Sequence, residues 1–382
     1  MSWKKAKLSE CCQSISDGDH QAPPKSNKGI PFVTISNIKD NSFDFTDCMY
    51  VPQSYYNNLL AKRKPQKGDI LYSVVGSFGI PVLMKENVKF TFQRHIAILR
   101  PNPHIVEPAY MYYSMLSKAF FLQADAAAIG AAQRTISLSS LQNLTINLPD
   151  LPTQRRIASI LSAYDDLIEN NRRQIKLLEE AAQRLYREWF VELRFPGHES
   201  VKVVDGVPEG WKIETVGSLL RKIPRTKQVL TSDYQVSGNI PIVDQSRDFI
   251  AGYTNDTDAC VKPQDAIIVF GDHTRILKYI TFPFAKGADG TQLIVSNSDC
   301  MPQSLFYFSI IHIDLTNYHY ARHFKYLKES TILVPTKSIA NAYDNIVHPI
   351  MKRIQVLRNS CVKAKEVRDR LLPKLMSGEM EV

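Results

Sequence analysis

The sequence lacks any long apolar run. No stretch approaches the roughly 18–20 consecutive apolar residues of a membrane helix, and Met1-Ser2-Trp3-Lys4-Lys5 is not followed by the apolar segment of a secretion signal. No membrane partner is therefore expected. Cysteine is sparse and scattered: Cys11, Cys12, Cys48, Cys260, Cys300 and Cys361 include no CxxC pair. That argues against a zinc module and suits a reducing, cytoplasmic setting. Nucleotide and hydrolase motifs are missing as well. Without a GxxxxGK[ST] loop the chain encodes no ATP-driven motor, and neither GxSxG nor HExxH occurs. Nor is there an Asn-Pro-Pro-Tyr segment of the kind that grips the exocyclic nitrogen of a flipped base.

What is present is charge, unevenly spread. The net charge of +9 suits a polyanion. Residues 1–151 hold 16 Lys/Arg against 11 Asp/Glu, whereas residues 195–335 hold 14 against 15. A non-specific nucleic-acid coat would be basic throughout, because phosphate neutralisation drives such binding. This chain is only locally basic.

The 382 residues allow two domains, and the chain repeats itself once. Each half opens on a tryptophan segment, Trp3-Lys4-Lys5-Ala6-Lys7-Leu8 and Trp211-Lys212-Ile213-Glu214-Thr215-Val216. Each continues with an Ile-Pro strand, Ile30-Pro31-Phe32-Val33 and Ile240-Pro241-Ile242-Val243. Each then has an Asp leading an apolar strand, at Asp69-Ile70-Leu71-Tyr72-Ser73 and Asp265-Ala266-Ile267-Ile268-Val269. Each closes on a strand and a proline, Pro149 and Pro335. Two copies are too few for a solenoid; this is a duplicated module.

After each closing proline the apolar period changes from two to about three and a half. Ile157, Tyr164, Asn171, Leu178 and Leu185 run beside Leu161, Ile168, Ile175, Ala182 and Trp189. In the second copy Tyr343, Ile350, Leu357, Ala364 and Leu371 run beside Val347, Ile354 and Cys361. Paired rows form a coiled-coil seam, and each seam needs a partner. The other helix of the same chain is the nearest one. Pro349 is expected to kink the second helix or delay its start, and Pro373 with Gly378 to end it.

The segment Leu148-Pro149-Asp150-Leu151-Pro152-Thr153-Gln154-Arg155-Arg156-Ile157, with Asn170-Asn171-Arg172-Arg173 and Trp189-Phe190, resembles the central conserved region of Type I restriction–modification specificity subunits. Pro208-Glu209-Gly210-Trp211 resembles that family's lead into its second recognition domain, and Arg370-Leu371-Leu372-Pro373-Lys374-Leu375 its distal helix. The resemblance implies an α/β (α+β) fold: two globular target-recognition domains separated by two long antiparallel coiled-coil helices. The expected boundaries are 1–150 and 193–335 for the recognition domains, the latter with a linker at 193–210, and 151–192 and 336–382 for the helices. Each domain would read one half of a bipartite double-stranded DNA target. The helices would set the spacer and dock two methyltransferase subunits, with endonuclease/translocase subunits beyond. S-adenosylmethionine, ATP and Mg would belong to those partners, leaving no cofactor, metal or catalytic residue here.

Base edges are read by Arg, Lys, Asn and Gln, with Ser and Thr as adaptable partners. In the first domain the glycine-punctuated loop Tyr72–Gly79 offers Ser73 and Ser77 to phosphate, or is a plain turn. Gln93-Arg94 and Gln133-Arg134 set a Gln beside an Arg where no core needs them. In the second domain Asp272-His273-Thr274-Arg275 is the densest polar cluster. With Lys278, Gln292, Arg322 and Lys325 it resembles one recurring type of recognition domain. Two alternatives stand beside this reading: a DNA-acting enzyme, nuclease or transferase, built on Asp272, His273 and Arg275, and a stand-alone DNA-binding regulator.

Overall fold

Each half is closed by its first and last strands. The computed structural model describes residues 3–130, 134–224, 226–287, 290–316 and 322–382. They pack as two units, residues up to Glu169 with Cys361–Val382, and Asn170–Ser360. In the first unit β1 (Lys4–Lys7) lies antiparallel to the last strand of the half, Thr145–Leu148, with Lys4 opposite Leu148. Between them β2 (Cys12–Asp17), β3 (Ile30–Val33), β4 (Ile70–Ser73), β5 (Pro81–Leu83), β6 (Thr91–Phe92) and β7 (Ile96–Pro101) build two sheets. One has the order β2-β7-β4-β5; in the other β3 runs parallel to β6. Thr145–Leu148 is β8.

The second unit repeats the scheme. Lys212–Thr215 (β9) pairs with the unit's last strand, Thr331–Val334, with Lys212 opposite Val334. β10 (Ile240–Val243) runs parallel to Phe284–Lys286. β11 (Ile267–Gly271) lies between β12 (Leu277–Ile280) and Thr291–Ile294. In chain order Phe284–Lys286 is β13, Thr291–Ile294 is β14 and Thr331–Val334 is β15.

The central strands read as unbroken apolar runs because both faces are covered. Ile70 and Tyr72 face the core shared with the helices Pro108–Leu116 (α1) and Lys118–Ala127 (α2), while Leu71 faces a second core with Phe90 and Phe92. Ile268 and Phe270 likewise oppose Ile267 and Val269.

α3 (Leu151–Tyr186) starts where Asp150 caps it, its carboxylate accepting from the Thr153 amide at 3.1 Å. Buried Gln154 then fastens the helix start to the Ile105 and Pro149 carbonyls. The shorter helices Gln303–Ile311 (α4) and His323–Glu329 (α5) precede α6 (Lys337–Ser377). The heptad rows are the buried ones. In the first unit Ile157 and Leu161 pack with Leu372, Leu375 and Met376, and Arg368 reaches Asp165 at 2.5 Å. In the second, Ala182 and Trp189 pack with Ala340, Tyr343 and Val347. There Asn171, buried in its row, donates to Ser360 Oγ at 3.0 Å, the kind of polar contact that fixes register in a seam. α3 and α6 are thus antiparallel within each unit.

Pro349 does not delay the start of the second helix, and Pro373 does not end it. α6 starts at Lys337 and runs unbroken past both Pro349 and Pro373 to Ser377. Each proline removes one backbone donor. Burial of Val347, Met351 and Ile354 around the first, and of Leu372, Leu375 and Met376 around the second, outweighs that loss. Gly378, at φ +76°, provides the stop.

Candidate nucleic-acid interface

The strand registers gather chain segments at neighbouring strand ends of the two sheets of each unit. In the first unit parallel β3 and β6 end on the same side, and the Gln93 amide donates to the Val33 carbonyl at 3.1 Å. The chain turns through Gln93–His95 into β7, whose first residue lies opposite Ser73, the end of β4. Thr34–Asn37, Val74–Ile80 and Gln93–His95 therefore share one rim. In the second unit the Gly287 amide donates to Val243 at 2.9 Å, and Thr291 lies opposite Gly271. This brings together Asp244–Asp248, Asp272–Ile276 and the chain at Gly287.

Not every residue singled out in the sequence faces outward on these rims. Ser77 and Arg94 are exposed and Gln93 is half-buried. Ser73 is fully buried, and its hydroxyl accepts from the Ile80 amide at 2.9 Å, closing the loop on itself. It fastens the loop and is not a DNA contact. Arg134 is half-exposed but tied to Asp125, 2.7 Å from its carboxylate, and lies over the Phe78 ring. Gln133 lies outside the described residues. Burial, helped by Arg94, lowers the pKa of His95, so this imidazole favours its neutral form.

In the second unit His273, Thr274 and Arg275 are exposed on the rim. Arg275 takes the left-handed conformation at φ +63°, rare for a non-glycine residue, and its guanidinium donates to the Leu315 carbonyl at 3.2 Å. Arg322 and Lys325 are exposed at the start of α5, and Gln292 lies half-buried on β14. Lys278 is a correction: only 4% exposed, its ammonium donates to the Asp244 carbonyl at 2.8 Å and to that of Asp248, so it cannot touch DNA.

Asp272 also faces inward. Its carboxylate accepts from the Phe324 amide at 2.7 Å, and its carbonyl accepts from the His323 amide at 3.1 Å. It anchors the first turn of α5, so its carboxylate is committed there and is not offered to His273 and Arg275. Replacing Asp272 by alanine should cost about 1–2 kcal/mol, as for a lost helix cap, and lower the melting temperature while sequence-specific DNA binding persists. Loss of a chemical step in a variant that melts normally would restore the enzyme reading.

Sequence reasoning missed Gln245, Ser246 and Arg247. Their signal was available in the repeat. They directly follow Ile240–Val243, as Thr34–Asn37 follow Ile30–Val33, and both stretches are polar.

With this geometry established, likeness to known proteins becomes informative. Residues 2–180 match the family described as the Type I restriction modification DNA specificity domain. The MjaIX Type I restriction enzyme specificity subunit of Methanocaldococcus jannaschii is 24% identical over 341 residues, 83% of this chain and 78% of that one. The HindI specificity subunit of Haemophilus influenzae is 27% identical over 198 residues, half of this chain and 41% of that one. The crystal structure of a Type I restriction-modification S subunit from M. genitalium superposes with a TM-score of 0.65 at 16% identity, covering 98% of this chain and 96% of that one. The duplicated fold, each unit with its pair of long antiparallel helix segments, is the fold of that S subunit. Over residues 2–180 the chain is similar to the Type I restriction modification DNA specificity domain, and the relatives it resembles along more of its length are Type I specificity subunits.

Proposed function

We propose that each unit reads one half of a bipartite, asymmetric DNA target through its rim. The observation that carries this reading is the recurrence of that rim in both copies, at the same strand ends, with exposed hydrogen-bonding side chains on each. The recognition modules correspond to residues 1–150 and 193–335. The segments 151–192 and 336–382 fix the number of unread base pairs and dock two methyltransferase subunits. Those subunits, with an endonuclease/translocase, supply the S-adenosylmethionine-, ATP- and Mg-dependent chemistry in the cytoplasm. Base flipping and methyl transfer take place on those partners, and this chain positions them by holding the duplex in register. Among the described residues no helix is long and apolar enough to cross a membrane.

Within the rims, phosphate contacts position and base contacts specify. Arg275→Ala should relax choice at one base position of one half-site, costing roughly 1–3 kcal/mol there. The check is the methylated motif recovered from cells expressing the variant with its modification subunits. An affinity loss equal for all sequences would make Arg275 a phosphate contact.

A further inference from the structure

The loop Asp244–Asp248 is braced far more heavily than a surface turn needs. One buried ammonium, that of Lys278, donates to the carbonyls of both its first and last residues. That ammonium also lies 3.8 Å from the Asp244 carboxylate. Burial lowers the Lys278 pKa, and the charges of Asp244 and Asp248 oppose that shift.

The rest of the loop is equally committed. The Asp244 carboxylate accepts from the Ser246 amide at 2.9 Å and from the Tyr234 hydroxyl at 3.2 Å. Thr274 Oγ1 donates to the Gln245 carbonyl at 2.6 Å, and the His273 amide donates to Gln245 Oε1 at 3.1 Å. Gly271 is where this bracing leaves no room: a Cβ there would lie 2.2 Å from Thr274 Oγ1 and 2.8 Å from Gln245 Cβ. Arg247, between the two gripped carbonyls, is exposed and has no partner among the described residues.

A desolvated cation is a costly way to hold a loop. A phosphate contact asks only for charge near the backbone, which a mobile lysine provides. Reading a base edge asks for a fixed direction, since the planar guanidinium must meet guanine O6 and N7 together. From the rim position of this loop, the pin beneath it and the free arginine at its crest, we propose that Arg247 reads a guanine in the half-site of the second unit. Lys278 is its positioning residue. This rests on the reading of the protein as a specificity subunit and deepens it.

The test uses the full chain expressed with its modification subunits, and reads the methylated motif by sequencing host DNA. Arg247→Ala should turn one guanine of one half-site into a mixture, leaving the other half-site unchanged. Arg247→Lys, which keeps the charge and can still donate to O6 and N7 but lacks the rigid planar fork, should retain a weaker preference for that guanine. Arg94→Ala, in the first unit, should leave that guanine intact. Lys278→Met should relax the same position; Lys278→Gln, which keeps one donor, replaces it if the methionine variant does not fold. An unchanged motif in Arg247→Ala, or an affinity loss in it that is equal for all sequences, overturns the assignment of Arg247. An unchanged motif in a folded Lys278 variant overturns its positioning role. Failure of the wild-type chain to give any bipartite motif would instead overturn the underlying reading.

Discussion

Tyr343→Ala should destabilise the second unit by about 3–5 kcal/mol, the range for deleting a fully buried aromatic ring. Tyr343 has no exposed surface. Its ring centroid lies 5.1 Å from Phe190, 5.9 Å from Trp189 and 6.4 Å from Tyr186, so alanine would open a cavity among three aromatic neighbours. For a unit of this size that free energy corresponds to a fall of about 6–20 °C in melting temperature. The hydroxyl contributes little, because its hydrogen bond to the Ala182 carbonyl is 3.5 Å long. Tyr343→Phe should therefore remain within about 1 kcal/mol of wild type. A small loss in the alanine variant would show that this cluster is not what holds the helices to the second unit's sheets.

The same side chain gives a sign for pH. Burial raises the Tyr343 pKa above its ordinary value, so the folded state keeps the proton that the unfolded chain releases near pH 10. The contribution is present in full below about pH 10 and is lost as pH rises towards the folded value. Alkaline melts of Tyr343→Phe should accordingly fall less steeply than those of wild type.

The features legible in the sequence were those with a period or a repeat. Ile157, Leu161 and Ile168 declare a helical stripe by spacing alone, and burial follows spacing because a 3.5-residue period keeps one face towards a partner. Closure of each half by its first and last strands was anticipated only as order along the chain; the pairing of Lys4 with Leu148 and of Lys212 with Val334 is tertiary. The candidate site was less legible, because composition does not tell which way a polar side chain points. Lys278 sits on a strand whose next two residues, Tyr279 and Ile280, are also buried, so alternation does not mark it as inward. Asp272 lies next to exposed His273, and Ser73 leads into the loop that exposes Gly76 and Ser77, yet both serve the loops' own hydrogen bonds. Pro373 misled for the opposite reason: a strong local rule yielded to the burial of Leu372, Leu375 and Met376 around it.

The largest functional change should come from lengthening both helices together. α3 continues unbroken past Glu169 and α6 past Ser360, the residues at which the two units divide. Seven residues added after each position preserve the heptad register of the seam. They lengthen each helix by about 10 Å at roughly 1.5 Å per residue. At ~3.4 Å per base-pair step that is about three base pairs. The variant should methylate a target with both half-sites intact and about three additional unread pairs, and should no longer modify the original target. Four residues at the same two positions add about 6 Å, close to two base pairs, but rotate the rows by roughly 40° relative to one another. That variant should be less stable and shift the spacer less cleanly. Inserting into α3 alone breaks the match with α6, and should lose stability without defining a new spacer. Sequencing the methylated motif in each strain reads the result directly. If the seven-residue variant retains the original spacer at full activity, the helices do not measure the distance between half-sites, and their seam serves the two units and their docked subunits only as support.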